Sequence, residues 1–152
     1  MDTTPDTPAA VEELARLAKT VVQELDRTVA SQLDGMTVAQ WHVLSALAGG
    51  QGKAMSALAV ATLLPGPSLT RLIDGMVEDN LVLRKVDVTD RRRVLVFQTR
   101  RGAAAYQRAR ARLAKSEDLT ALVTRHAGMV QRLGEMLAEL RGEDLASASA
   151  QA

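Results

Sequence analysis

Apolar residues along this chain fall mostly into helical runs, with one strand-like interval past the middle. Val11, Leu14, Ala18, Val21, Val22, Leu25 and Val29 form one stripe and predict a helix over residues 9–33. The stripe is long for so small a domain and calls for a partner chain to cover it. Thr37 can cap a second helix, with Gln40 completing a capping box and Met36 and Trp41 placed as a hydrophobic staple. That helix is expected to run to Ala48 and stop at Gly49-Gly50, before a turn at Gln51-Gly52-Lys53 that can hold one short strand. A third helix is expected from Ser56 to Leu64, with Leu58, Leu63 and Leu64 facing inward. Pro65-Gly66-Pro67 then breaks the chain stiffly.

Pro67 suits the first position of a fourth helix, since its missing N–H costs nothing there. Leu69, Leu72, Ile73, Met76 and Val77 make its apolar face, and Ser68, Thr70, Arg71 and Asp74 lie off it. Asn80 tolerates a left-handed backbone and ends it. Two β-branched runs follow, Leu81–Val86 and Val94–Thr99, joined by Asp87-Val88-Thr89-Asp90-Arg91-Arg92-Arg93. Thr99 can cap a helix from Arg100 to Lys115. After a break at Ser116-Glu117-Asp118, one last helix is expected, its seam formed by Leu119, Leu122, His126, Met129, Leu133, Met136 and Leu140. Gly128 and Gly134 weaken that helix by about 1 kcal/mol each relative to alanine.

Composition narrows the chemistry. The 152 residues carry one Trp, one Tyr, one Phe and no cysteine, so the core is aliphatic and thiol chemistry is excluded. No apolar run is long enough to cross a membrane and no signal peptide is evident, which leads to the expectation of a cytoplasmic protein. Two histidines far apart, His42 and His126, leave no expected metal or cofactor site. No nucleophile elbow or phosphate-cradling loop is present, so no enzyme is expected. The net charge of +1 says little, but its distribution says more. Residues 84–115 hold 11 basic and 2 acidic side chains, against 8 basic and 16 acidic elsewhere. One cationic surface of this kind suits a phosphate backbone; the plainer reading is a solvated helix bearing Arg108, Arg110 and Arg112.

A helix presenting small polar groups and an arginine, followed by a hairpin tipped with arginines, fits double-stranded DNA. The helix matches the major groove and its readable base edges; the tip matches the negative potential of a narrow minor groove. The fold class expected is mainly α with a small β-hairpin wing: a winged helix-turn-helix flanked by N- and C-terminal dimerisation helices. Ser68, Thr70 and Arg71 are the candidates on the helix. Arg71 either takes a guanine or pairs with Asp74, three residues on. Arg84 at the wing root is expected on phosphate. Three adjacent arginines repel one another, so Arg91, Arg92 and Arg93 are read as functional rather than as a solubilising turn.

The sequence resembles the MarR family of transcription regulators. The resemblance runs from about Thr37 to Gly102 and rests on Leu69-Thr70-Arg71-Leu72-Ile73-Asp74, on Asn80-Leu81-Val82 with Arg84, on Asp90-Arg91-Arg92, and on Thr99 with Gly102. It implies a homodimeric, ligand-responsive repressor on a pseudo-palindromic DNA operator. It also implies that Arg92 enters the minor groove and that Asp90 orients the tip through an ion pair, with Arg71 or a wing neighbour. It places Trp41 and His42 near a cleft that takes a small aromatic or antibiotic-like effector. The alternative for both residues is core packing, and for His126 an interface. The rival function is a helical ligand- or partner-binding dimer whose DNA reader has decayed.

The expected organisation is a disordered lead-in over 1–8, a dimerisation helix over 9–33, the DNA-binding region over 34–99, C-terminal dimerisation helices over 100–142 and a flexible tail over 143–152. Three features depart from the family pattern: the proline-rich turn at 65–67, the short link between the last two helices, and Phe97-Gln98, whose aromatic and amide have exchanged places. Either the second wing strand is bulged or Phe97 finds an unusual contact.

Overall fold

A computed structural model describes residues 6–142. Most of the expected lead-in and all of the expected tail lie outside the described residues. The first helix begins earlier than expected: α1 (Thr7–Ala30) already includes Thr7 and Pro8, the proline sitting in the first turn where it costs no hydrogen bond. At its other end the helix stops at Ala30 rather than Leu33. Two tight turns follow, Gln32 N–H to Val29 O and Leu33 N–H to Ala30 O, and then Asp34 and Gly35 adopt left-handed backbone. Leu33 still reaches the interior, where it packs with Val29 and Ala109.

The next element, α2 (Val38–Ala46), starts as its sequence dictates. The Thr37 side chain accepts from Gln40 N–H at 3.1 Å, and Gln40 Oε1 accepts from Thr37 N–H at 3.0 Å. Left-handed Gly49 and Gly50 turn the chain into β1 (Lys53–Ala54), which leads directly into α3 (Met55–Thr62). After the double-proline turn come α4 (Gly66–Glu78), β2 (Val82–Val86), β3 (Val94–Gln98) and α5 (Arg100–Lys115). Asn80 takes φ 56°, the left-handed stop that its position called for.

The three strands form one antiparallel sheet in the order β1-β3-β2. The short strand before α3 therefore does pair with the wing, Lys53 opposite Val96 and Ala54 opposite Leu95. Pairing between β2 and β3 runs without a bulge from Val82–Gln98 to Val86–Val94. Phe97 instead finds a contact of its own. Its ring covers Gly52, where any Cβ would collide with it, and the Lys85 ammonium stands 5.5 Å from the ring centre. Gln98 donates to the Leu44 carbonyl at 3.0 Å and ties the wing strand to α2.

The core of this unit is Val43, Leu44, Leu47, Leu58, Leu69, Ile73, Met76, Val82 and Val96, all fully buried. It draws on α2, α3, α4 and the inner face of the sheet, so the position of α4 is set by packing. Leu63 corrects the inward expectation. It lies beyond the end of α3 with φ 54° and is 83% exposed, while Leu64 packs against the core. Pro65 explains the swing, since the residue before a proline is driven out of helical backbone and the helix must end ahead of it.

Thr99 is the joint between wing and α5. Its hydroxyl donates to Asn80 O at 2.6 Å and accepts from Gly102 N–H at 2.9 Å. Gly102 lies so close to Leu81 O that a Cβ would collide with it, which accounts for the pairing of a threonine with a glycine three residues on. Thr99→Ala is expected to cost about 1 kcal/mol of stability, read as a lower urea midpoint with an unchanged slope.

The described residues divide between Lys115 and Ser116 into two compact units. The second contains α6 (Glu117–Arg125) and α7 (Met129–Arg141). Ser116 caps α6 by accepting from Leu119 N–H. The continuous last helix expected through Leu140 is broken at His126-Ala127-Gly128, where Met129 N–H closes a turn on His126 O at 2.8 Å. Glycine's low helix propensity locates the break. His126 is consequently exposed in the turn and does not sit on a continuous apolar seam.

Candidate nucleic-acid interface

The apolar face of α4 is fixed by burial of Leu69, Ile73 and Met76, and this decides what the helix shows to solvent. Thr70 and Arg71 are exposed, and Ser68 is half-buried. The Thr70 hydroxyl donates to Gly66 O at 3.0 Å, so its proton is committed and it offers an incoming group an acceptor. No ion pair forms between Arg71 and Asp74. Asp74 instead takes Arg84, Nη2 to Oδ1 at 2.6 Å, across from the root of β2. Arg71 has no salt bridge among the described residues. Arg84, expected on phosphate, is held by the Asp74 carboxylate, with its side chain 35% exposed. The geometric reason is strand alternation. Arg84 projects from the same face of β2 as buried Val82, and so toward α4.

The Arg84–Asp74 pair joins the helix to the hairpin. A surface pair of this kind contributes about 1 kcal/mol at most. Asp74→Asn is therefore expected to lower the melting temperature by at most about 4 °C and to weaken DNA binding by up to about fivefold, the same energy expressed as a ratio. Titrations of one duplex by anisotropy, beside a thermal melt, would check this; equal affinity for the two proteins would mean that the wing holds its position without the pair.

Two carboxylates shape the wing tip, and neither is in a salt bridge among the described residues. Asp90 Oδ1 accepts from Arg92 N–H at 3.0 Å, and Asp90 O accepts from Arg93 N–H at 2.9 Å. Asp90 thus organises the tip through the backbone, which replaces the expected ion pair with an arginine. An Asx turn needs only the neighbouring amide, whereas adjacent guanidiniums splay apart. Asp87 accepts from Thr89 N–H at 3.0 Å and from the Thr89 hydroxyl at 2.8 Å, and these bonds hold its carboxyl below the usual range. That ordering is complete above the ordinary carboxylate pKa and is lost as pH falls through the lowered value. Arg91, Arg92 and Arg93 are all exposed. The tip carries three guanidiniums without salt bridges among the described residues, on a turn fixed by backbone bonds.

Trp41 and His42 do not join this surface. Their ring centroids lie 4.9 Å apart with the planes tilted by 46°, and Trp41 packs against the Val29, Leu33 and Ala109 cluster. The nearby cleft, about 360 Å³, is built from other residues. Leu33, Met36, Leu81 and Ala109 supply its apolar walls; Arg101, Arg108 and Arg112 from one stripe of α5 supply positive charge, and Asp34 and Asp79 also line it. Asp34 pairs with Arg112 at 3.1 Å. Sequence reading passed over this site. The seven- and four-residue spacings of the three arginines put them on one face, but only tertiary structure shows that the face borders a cavity. Among the described residues no group of three His, Cys, Asp or Glu is arranged to hold a metal ion, and no single helix is long and apolar enough to cross a membrane.

Helices α3 and α4, the sheet behind them and the arginine-tipped hairpin define a winged helix-turn-helix protein. Residues 34–93 match the model of the MarR family. The homoprotocatechuate degradative operon repressor of Escherichia coli is 32% identical over 78 residues, 51% of this chain and 53% of that protein. The chain thus spans about half the length of the curated relatives it matches. Among solved structures, apo wild-type MarR from E. coli is 28% identical with TM-score 0.65, covering 84% of this chain and 96% of that one. A mutant MarR from E. coli complexed with operator DNA is 27% identical with TM-score 0.71, covering 90% and 99%.

Proposed function

We infer that this protein is a sequence-specific DNA-binding transcriptional regulator, a ligand-responsive repressor that acts in the cytoplasm as a homodimer on a pseudo-palindromic operator. Its role is binding rather than catalysis. The observation that carries this reading is the wing tip. Three exposed guanidiniums stand on a turn whose root is tied to the α4 helix by Arg84–Asp74. Recognition helix and wing are thereby presented together, as the major and the adjoining minor groove require. In this reading Thr70 and Arg71 face base edges, Ser68 supports the helix entry, and Arg91, Arg92 and Arg93 meet the minor groove and phosphates.

Dimerisation is supported by the uncovered stripe of α1, where Val11, Leu14, Val21 and Val22 are each more than half exposed. A set of large apolar side chains this extensive calls for a partner surface. The effector reading moves from Trp41 and His42 to the α5 cleft, because apolar walls beside guanidiniums fit a small organic acid better than an aromatic pair whose tryptophan already packs on a cluster does. To lower operator occupancy tenfold, the acid need favour the DNA-incompetent state by only about 1.4 kcal/mol. Selection from random duplex DNA tests the central claim: a defined, two-fold related sequence should be enriched. Recovery of no preferred sequence would instead favour the decayed-reader alternative. Release of the selected duplex by aromatic carboxylates, and not by zinc or peroxide, tests the effector class.

A further inference from the structure

Leu63 is the one large apolar side chain of the helix-turn-helix that is both strained and turned outward. Its φ of 54° lies in the left-handed region, where a Cβ crowds the carbonyl oxygen and glycine or asparagine would sit at lower cost. It is 83% exposed, while Leu64 beside it packs on the core. The chain therefore bears a backbone strain and an exposed leucine at one position, three residues before α4 begins at Gly66. Strain held in place by a rigid surround is a reason to look for function. The surround here is rigid: Pro65 and Pro67 fix their own φ angles, and Leu69 N–H bonds Pro65 O at 2.9 Å.

The location selects the chemistry. The N-terminal end of a recognition helix is the end that meets base edges in the major groove. The charge is permissive, since no acidic residue occurs between Asp34 and Asp74, and α4 has none in its first turn. An aliphatic side chain can recognise one feature of the major groove, the C5-methyl of thymine. We propose that Leu63, from the left-handed turn ahead of α4, is a specificity-determining residue that packs on a thymine methyl at the edge of each operator half-site. The proposal rests on the DNA-binding reading above and adds a base preference at a residue outside the helix.

The test is a cycle of protein and DNA variants. A duplex selected from a random library, and the same duplex with all thymines replaced by uracil, are titrated against the wild type and Leu63→Gly by fluorescence anisotropy. Uracil removes the methyl and keeps the pairing. A methyl contact of this kind is worth about fourfold in affinity per half-site. The wild type should lose at least that factor on the uracil duplex beyond whatever Leu63→Gly loses, because other methyl contacts cancel between the two proteins. Leu63→Gly should melt no lower than the wild type, since glycine relieves the strained φ; Leu63→Asn, which also tolerates that backbone, repeats the measurement independently. An equal uracil penalty in wild type and both variants would overturn the assignment of Leu63 while leaving DNA recognition intact. Failure of the wild type to bind any selected duplex would overturn the DNA-binding reading, and this proposal with it.

Discussion

Arg92→Ala is expected to weaken operator binding by about 1–3 kcal/mol and to lower the slope of log affinity against log salt by about one. Asp90 holds position 92 through the backbone N–H and not the guanidinium, so alanine leaves the turn folded. What is removed is one exposed cation from a group of three without salt bridges among the described residues. Folding and dimerisation should therefore be untouched, and the loss should appear only against DNA. Asp90→Ala is the complementary variant: it keeps all three arginines and loses the bond that shapes the turn. Unchanged affinity of Arg92→Ala in a gel shift at physiological salt would rule out a role for this arginine in the complex.

Leu133→Asp is expected to have the larger effect on assembly, raising the dimer dissociation constant by at least about thirtyfold or leaving the chain unfolded. Leu133 lies on α7, where Leu133, Leu137 and Leu140 are each about half exposed or more. In the proposed dimer such side chains are covered by the partner, and a carboxylate there would be buried without a counter-charge. Light scattering across a concentration series would resolve the outcome. A wild-type chain that remains a stable, folded monomer at high concentration would remove the case for terminal dimerisation helices.

The parts of the fold legible in the sequence are those dictated by short-range spacing. Thr37 with Gln40, the β-branched runs on either side of Asp87–Arg93, and the span of α5 all follow from residues within a few positions of one another. The failures share a different character. Asp74 could be assigned a partner three residues away on its helix; its actual partner, Arg84, is ten residues away on a strand, and only the packing of sheet on helix brings them together. Leu63 reads as an inward residue by hydrophobicity, yet the prolines after it end the helix and turn it out. The break at His126–Gly128 competed with a three- and four-residue apolar spacing that continues across it unchanged. The α5 cleft left no trace in the sequence beyond an arginine stripe, because a cavity is a property of several elements at once.

Trp41 carries a consequence for spectroscopy. Its indole N–H is buried and has no acceptor among the described residues, a cost tolerated because the ring fills the cluster of Val29, Leu33 and Ala109. The ring of this sole tryptophan is half-buried against that cluster, with its N–H out of reach of water. Its fluorescence should be blue relative to the unfolded chain. Because the cluster draws on α1, α2 and α5 together, a red shift in native buffer would report that α1 has left its seat, with no label added to the protein.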